Sequence, residues 1–218
     1  MENRITIWNT SDPGVFPEDG HTDGNLHISP GVYAVTKPNP DAEYDYKKQE
    51  NPLFTVGEEA SEAFTKLAEA GQPDALVAEL EGIDRVLDTG TFEGPIGPIW
   101  PGSKTDFVVG TSGLAYLWVA AMLIPSNDTV VATKWGIPLR EGKVHAPTQA
   151  NASGYLRLFN ARTEPNAPLG HGEDQAPAQS DPHQGDDEEA PVRQANVIHD
   201  GVLMPDAVDV MQVTLEPN

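Results

Sequence analysis

The chain is 218 residues long and 38% hydrophobic, enough for one large β domain or two small ones with a real core. Its 34 Asp and Glu against 13 Lys and Arg give a formal net charge of -21, which repels phosphate backbones and anionic lipid. Nucleic acid and membrane surfaces are therefore poor partners, and cations, basic partners or a high-salt habitat are the natural counterparts, with plain solubility as the bland alternative. Cysteine is absent, which removes thiolate catalysis, Cys-based zinc sites and disulfides.

Residues 4–8 alternate like a strand, with no basic region or apolar core of a leader before them, so the protein is expected to be either cytoplasmic or exported with its leader removed. A turn-rich stretch follows, with Asp12-Pro13-Gly14 and Asp19-Gly20 as breakers, and then short strands at 26–28 and 32–35. The polar segment 37–51, with its Tyr44-Asp45-Tyr46 cluster, reads as an exposed loop. A helical insertion spans 55–81. Thr55-x-x-Glu58 fits a capping box, Ala60, Phe64, Leu67 and Ala68 make an apolar face, Gly71 stops the run, and a second helix runs from Pro73 to Leu80.

Strand signals return at 86–92, 105–109, 114–124, 129–133, 155–159 and 208–215. Short strands separated by turns predict a β-sandwich. The run 114–124 is apolar on both faces, as expected of a central strand covered by the opposite sheet or by a helix. The apolar run 114–125 is only about half of the roughly 20 residues that a membrane helix needs. Prolines at 165, 168, 177, 182 and 191 and the acidic run Asp186-Asp187-Glu188-Glu189 make 161–205 a long loop, functional, pinned by ions or disordered.

Two strand ends offer oxygen ligands of the kind that a hard cation takes. Pro125-Ser126-Asn127-Asp128 follows the central strand, where a plain Asx turn would account for the same residues. Asn160, Glu164 and Asn166 follow the strand at 155–159. Histidines 21, 27, 145, 171, 183 and 199 never approach the spacing of a compact zinc or copper site. Hydrolase signatures and a phosphate loop are missing, so no enzyme is expected, although the abundant carboxylates leave a two-acid glycosidase open.

The order of motifs resembles the prokaryotic branch of the spondin-domain family over nearly the whole length. It runs from Ser11-Asp12-Pro13-Gly14 through Leu26-x-Ile28-Ser29-Pro30-Gly31-Val32-Tyr33-Ala34-Val35 to Asn51-Pro52-Leu53-Phe54-Thr55. Ala60-Ser61, Leu67-Ala68-Glu69-Ala70-Gly71, Met122-x-x-Pro125-Ser126-Asn127-Asp128 and Thr163-Glu164-x-Asn166 follow, then a Pro/Gly/Gln-rich stretch and a Val-rich closing strand. The resemblance implies a single C2-like antiparallel β-sandwich over 1–218, with one calcium ion held at one end. Its metal ligands fall on Asp128, Asn160 and Glu164. One family acid is an asparagine here, and Arg162 replaces a glycine, so the resemblance implies a weaker site than the family norm, or an empty one. Asn166, Asp186 and Asp187 are candidates to complete the shell.

The function expected from this is a calcium-binding adhesion or interaction module without catalytic activity, located extracellularly, at the cell surface or in the periplasm. Its partner would be a protein or glycan surface. The alternative is a structural subunit of a surface layer or filament, self-assembled through edge strands such as 4–8 or 208–215.

Overall fold

A computed structural model describes residues 2–16, 22–42, 44–139, 154–179, 181–196, 198–199 and 201–217. The Asp19-Gly20 breaker and histidines 21 and 145 lie outside them. In chain order come β1 (Glu2–Asn9), β2 (His27–Thr36), 3-10 turns at Pro40–Ala42 and Tyr46–Lys48, α1 (Glu62–Ala70) and α2 (Asp74–Glu81). Next are β3 (Val86–Phe92), β4 (Lys104–Gly110), β5 (Ala115–Ile124), β6 (Thr129–Thr133), β7 (Ile137–Leu139) and β8 (Leu156–Asn160). Short strands β9 (Arg193–Gln194), β10 (Ile198–His199) and β11 (Val202–Leu203), the single turn α3 (Ala207–Val210) and β12 (Met211–Pro217) complete the chain.

The protein is mostly β, as the strand spacing predicts. One sheet has the order β12-β1-β4, and the larger one runs β3-β2-β5-β6-β8-β9, with β7 also pairing with β5. All of these pairings are antiparallel. β1 is paired along both sides, with β12 and with β4, so residues 4–8 form a central strand and not the exposed edge expected of them. The outer strands of that sheet are β12 and β4.

Period-two alternation explains why β5 is apolar throughout. Leu117, Val119, Ala121 and Leu123 meet Ile5, Ile7, Val213 and Leu215 of the smaller sheet. Tyr116, Trp118 and Ala120 point the other way, onto Phe64, Leu67, Leu76 and Leu80 of the two helices. The result is three layers, sheet on sheet with helices outside, and each fully buried Leu or Val contributes roughly 1.5–3 kcal/mol. At one side of the sandwich, Tyr33 and Phe92 of the large sheet stack on Phe107 of the small one, with centroids 4.4 and 5.8 Å apart.

Three elements depart from the sequence reading for identifiable reasons. The strands expected at 26–28 and 32–35 are one strand, β2, with a register shift between Ile28 and Gly31 that accommodates Pro30. Ser29 Oγ accepts the Met122 N–H there (2.9 Å), standing in for the lost ladder bond. A Cβ on Gly31 would lie 2.3 Å from the Phe92 ring and 2.6 Å from the Ala120 carbonyl, so only glycine fits. The first helix starts at Ser61, whose side chain accepts the Phe64 N–H, and not at Thr55. Gly57, at φ 93°, turns the chain inside the supposed capping box and donates its N–H to the Val192 carbonyl. The strand expected at 208–215 begins only at Met211, after the turn of α3. Elsewhere, α2 runs from Asp74 with Pro73 as its N-cap, and β6 occupies the residues expected of it.

Within the segment 161–205, residues 188–195 are tied down by backbone hydrogen bonds. Glu188 N–H donates to the Thr163 carbonyl, Ala190 N–H to that of Arg162, Val192 N–H to that of Glu58 and Ala195 N–H to that of Leu158.

Candidate cation site

The site begins where β5 hands over to β6. Ser126 Oγ donates to the Leu123 carbonyl (2.6 Å) and accepts the Thr129 N–H (3.1 Å), which fixes the turn and carries Asp128 inward. Asn127 works as a clamp. Its Oδ1 accepts from Ala167 N–H (2.9 Å) and from Gln175 Nε2 (3.0 Å), fastening the long loop to the strand end.

Asp128 is fully buried. Its Oδ1 accepts from Asn160 Nδ2 (2.7 Å), and its Oδ2 from the backbone N–H groups of Thr163 (2.8 Å) and Glu164 (3.1 Å). The carboxylate thus caps the turn that follows β8. That turn passes through Arg162 in the left-handed region at φ 58°, a conformation costing a non-glycine residue roughly 1–2 kcal/mol. The Arg162 side chain offsets this by pairing with Glu188, donating through Nε (2.8 Å) and Nη2. Its charge is therefore committed to Glu188.

Glu164 is also buried, with 2% of its surface exposed. Oε1 accepts from Gln179 Nε2 (3.2 Å), but Oε2 has no hydrogen-bond donor among the described residues. Asn127 and the Gly185 N–H lie beside the carboxyl and favour its charged form, yet neither reaches Oε2 in hydrogen-bonding geometry. Glu69 of α1, itself buried, accepts the His183 N–H (2.7 Å) nearby.

Burial pushes the Asp128 carboxyl up to about 7, assisted by the charges of Glu188 and Glu69 and opposed by the Thr163 and Glu164 N–H groups. Burial likewise pushes Glu164 up to about 7, again with the Glu69 charge behind it. Two carboxyls that would ordinarily be ionised are thus poised near neutrality.

Hydrogen bonds link Asp128 to the Asn160 side chain and to the Glu164 backbone N–H, and Asn166 accepts from Asn160 Nδ2 (3.0 Å). Asp186 and Asp187 are exposed, and it is Glu188 of the same acidic run that turns inward to Arg162. Glu69, Gln175 and Gln179 escape the sequence reading. On α1 a Glu reads as a solvent-facing residue, and the Gln-rich composition of 175–179 was the sole signal for the other two.

Among the described residues, buried side-chain oxygens without a partner occur in this region on Asn160 (Oδ1), Glu164 (Oε2), Gln179 (Oε1), Glu188 (Oε2) and Thr129 (Oγ1), and elsewhere the unpartnered atoms are of both kinds, nitrogens on Asn3, Trp8 and His27 and an oxygen on Gln212. An oxygen-only set of open acceptors fits a hard cation such as calcium. Among the described residues, however, no three His, Cys, Asp or Glu side chains group as a metal site, so amide oxygens would have to join the carboxylates. Asp128 has spent most of its acceptor capacity on protein N–H groups, so Glu164 is the carboxylate with the more open oxygen. The histidines with described partners are dispersed, His27 on Asp23 (2.9 Å), His183 on Glu62 (3.3 Å) and His199 accepting from Arg193 (3.1 Å). No described helix is long and apolar enough to cross a membrane.

The sequence matches no protein-family model and no curated protein.

Proposed function

We propose that this chain is an exported, calcium-binding interaction module without catalytic activity, of the spondin-like kind that its motif order resembles. The observation that carries this reading is the set of buried, unpartnered oxygens gathered around Asp128 and Glu164. Glu164, Asn160 and Gln179 would hold the ion, with Asp128 fixing the loop that presents them. Bound calcium would supply the positive charge that this cluster lacks and so stiffen the 161–190 segment where it meets the sandwich end. A site with so few carboxylates belongs among the weak calcium sites of about 10⁻⁴–10⁻³ M found in extracellular modules, which agrees with a location outside the cell.

The test is thermal melting in a chelator and in millimolar calcium. The expected outcome is a higher melting temperature with calcium, a much smaller rise with magnesium, and loss of the rise in Glu164→Gln. An identical melting temperature in all conditions would remove the calcium reading.

A second reading, assembly through strand edges, rests on β12, a seven-residue outer strand of the smaller sheet. Size-exclusion chromatography across a wide concentration range tests it, and a strict monomer throughout would count against it.

A further inference from the structure

At the opposite end of β6 from Asp128, the chain gathers cations. Lys134 and Trp135 follow the strand directly, and the Trp135 ring has Lys134 Nζ at 5.2 Å, the Arg157 guanidinium at 5.4 Å and Lys47 Nζ at 5.5 Å from its centre. In a chain with 34 acidic and 13 basic residues, Lys47 and Lys134 nonetheless make no ion pair with a described carboxylate. Lys134 is held instead by a neutral group, Gln194 Oε1, at 2.8 Å. Both lysines border a cavity of about 420 Å³ whose walls include Trp135, Phe54, Phe159 and Gln194. That volume lies within the about 300–1,000 Å³ typical of small-ligand sites. The carboxylate among its described lining residues, Glu50, faces Arg85, with Nη1 and Oε2 3.8 Å apart.

We propose that this cavity binds a carboxylated sugar, a uronic-acid unit of an acidic polysaccharide, with Lys47 and Lys134 on the carboxylate and the aromatic wall against the C–H face of the ring. Charge and shape select this class. Two ammonium groups without an ion pair to a described carboxylate call for an anion, and the half-buried Trp135 ring, with Phe54 and Phe159 buried behind the cavity wall, calls for a ligand with an apolar face. A peptide would be read through its backbone along a sheet edge or as a helix in a groove, whereas the recognition groups here are side-chain ammonium, amide and aromatic groups around a compact cavity. The net charge of -21 does not forbid an anion, because beyond about 8 Å at physiological salt the distant acids are largely screened and the contacting lysines dominate. This inference does not depend on calcium. Lys134 and Trp135 lie at the opposite end of β6 from Asp128.

The experiment is calorimetric titration of the whole chain, in excess chelator, with an oligogalacturonate, with a neutral galactose oligomer of equal length and with an oligoglutamate peptide. The expected result is binding of the oligogalacturonate that weakens at least tenfold for the neutral oligomer. It should weaken at least tenfold again in the Lys47→Gln/Lys134→Gln variant, and remain unchanged in the remote control Lys104→Gln on β4. Absence of oligogalacturonate binding, equal binding by the neutral oligomer, or full binding by the double variant would overturn the proposal. Equal or tighter binding of oligoglutamate would overturn it in favour of an acidic protein partner. Because calcium is chelated throughout, failure here leaves the cation site untouched.

Discussion

The two ends of β6 carry opposite chemistry within five residues. At its start, Asp128 is sealed among other acids, its oxygens taken up by N–H donors and its protonation pushed towards neutral pH. At its end, Lys134 is exposed beside Trp135 on the rim of a cavity. Burial is what separates them. The buried carboxylate is part of the fold and its charge state is tied to stability, whereas the exposed ammonium is screened by solvent and can be removed with little structural consequence.

The largest effect is expected from Asp128→Ala. It leaves two backbone N–H groups and the Asn160 amide without their acceptor inside the protein, at about 1–3 kcal/mol for each unsatisfied group. A loss of roughly 3–5 kcal/mol, or about 10 °C in melting temperature for a chain of this size, is expected in thermal unfolding. A loss of about 1 kcal/mol or less would mean that the turn after β8 does not depend on this cap.

The next effect is on pH. Asp128 and Glu164 each hold a proton in the folded state to about pH 7 and release it near their ordinary values of 3.8 and 4.5 when unfolded. Between about pH 4 and pH 7 the native state therefore binds more protons than the unfolded one, so stability is present at low pH and lost as pH rises through 7. Melting temperature in a chelator should fall from pH 5 to pH 8, and Glu164→Gln should flatten part of the fall. A flat profile for the unaltered chain would show that the two carboxyls are not poised in this way. Calcium should also reverse the trend, since a cation favours the ionised forms.

The smallest effect is expected at the other end of the strand. Lys134→Gln and Lys47→Gln should each change stability by no more than about 0.5 kcal/mol, as surface substitutions do. A larger loss would mean that the cation cluster around Trp135 is structural, which would erase the contrast between the two ends.

Local patterns made much of this legible. The limits of β6, the two-faced apolar character of β5 and the Gly71 stop of α1 follow from periodicity and capping. What escaped depended on contacts distant in sequence. The Thr55-x-x-Glu58 signal failed because Gly57 bonds to Val192, and residues 4–8 are central because β12 returns from the far end of the chain to pair with them. At the site, Asp128, Asn160 and Glu164 were legible as oxygen-bearing residues at strand ends. Which carboxylate keeps an open oxygen was not, because it depends on where the N–H groups of Thr163 and Glu164 point. Glu69 and Gln179 become part of the cluster only once α1 and the long loop pack over it.

The most direct measurement is calorimetric titration of calcium into the whole chain near pH 6.5, repeated in two buffers of different ionisation enthalpy. With Asp128 and Glu164 largely protonated before binding, the expected result is a weak site whose heat differs between buffers because protons leave as calcium enters. No heat in either buffer at millimolar calcium, together with an unchanged melting temperature, would contradict a cation site at the start of β6.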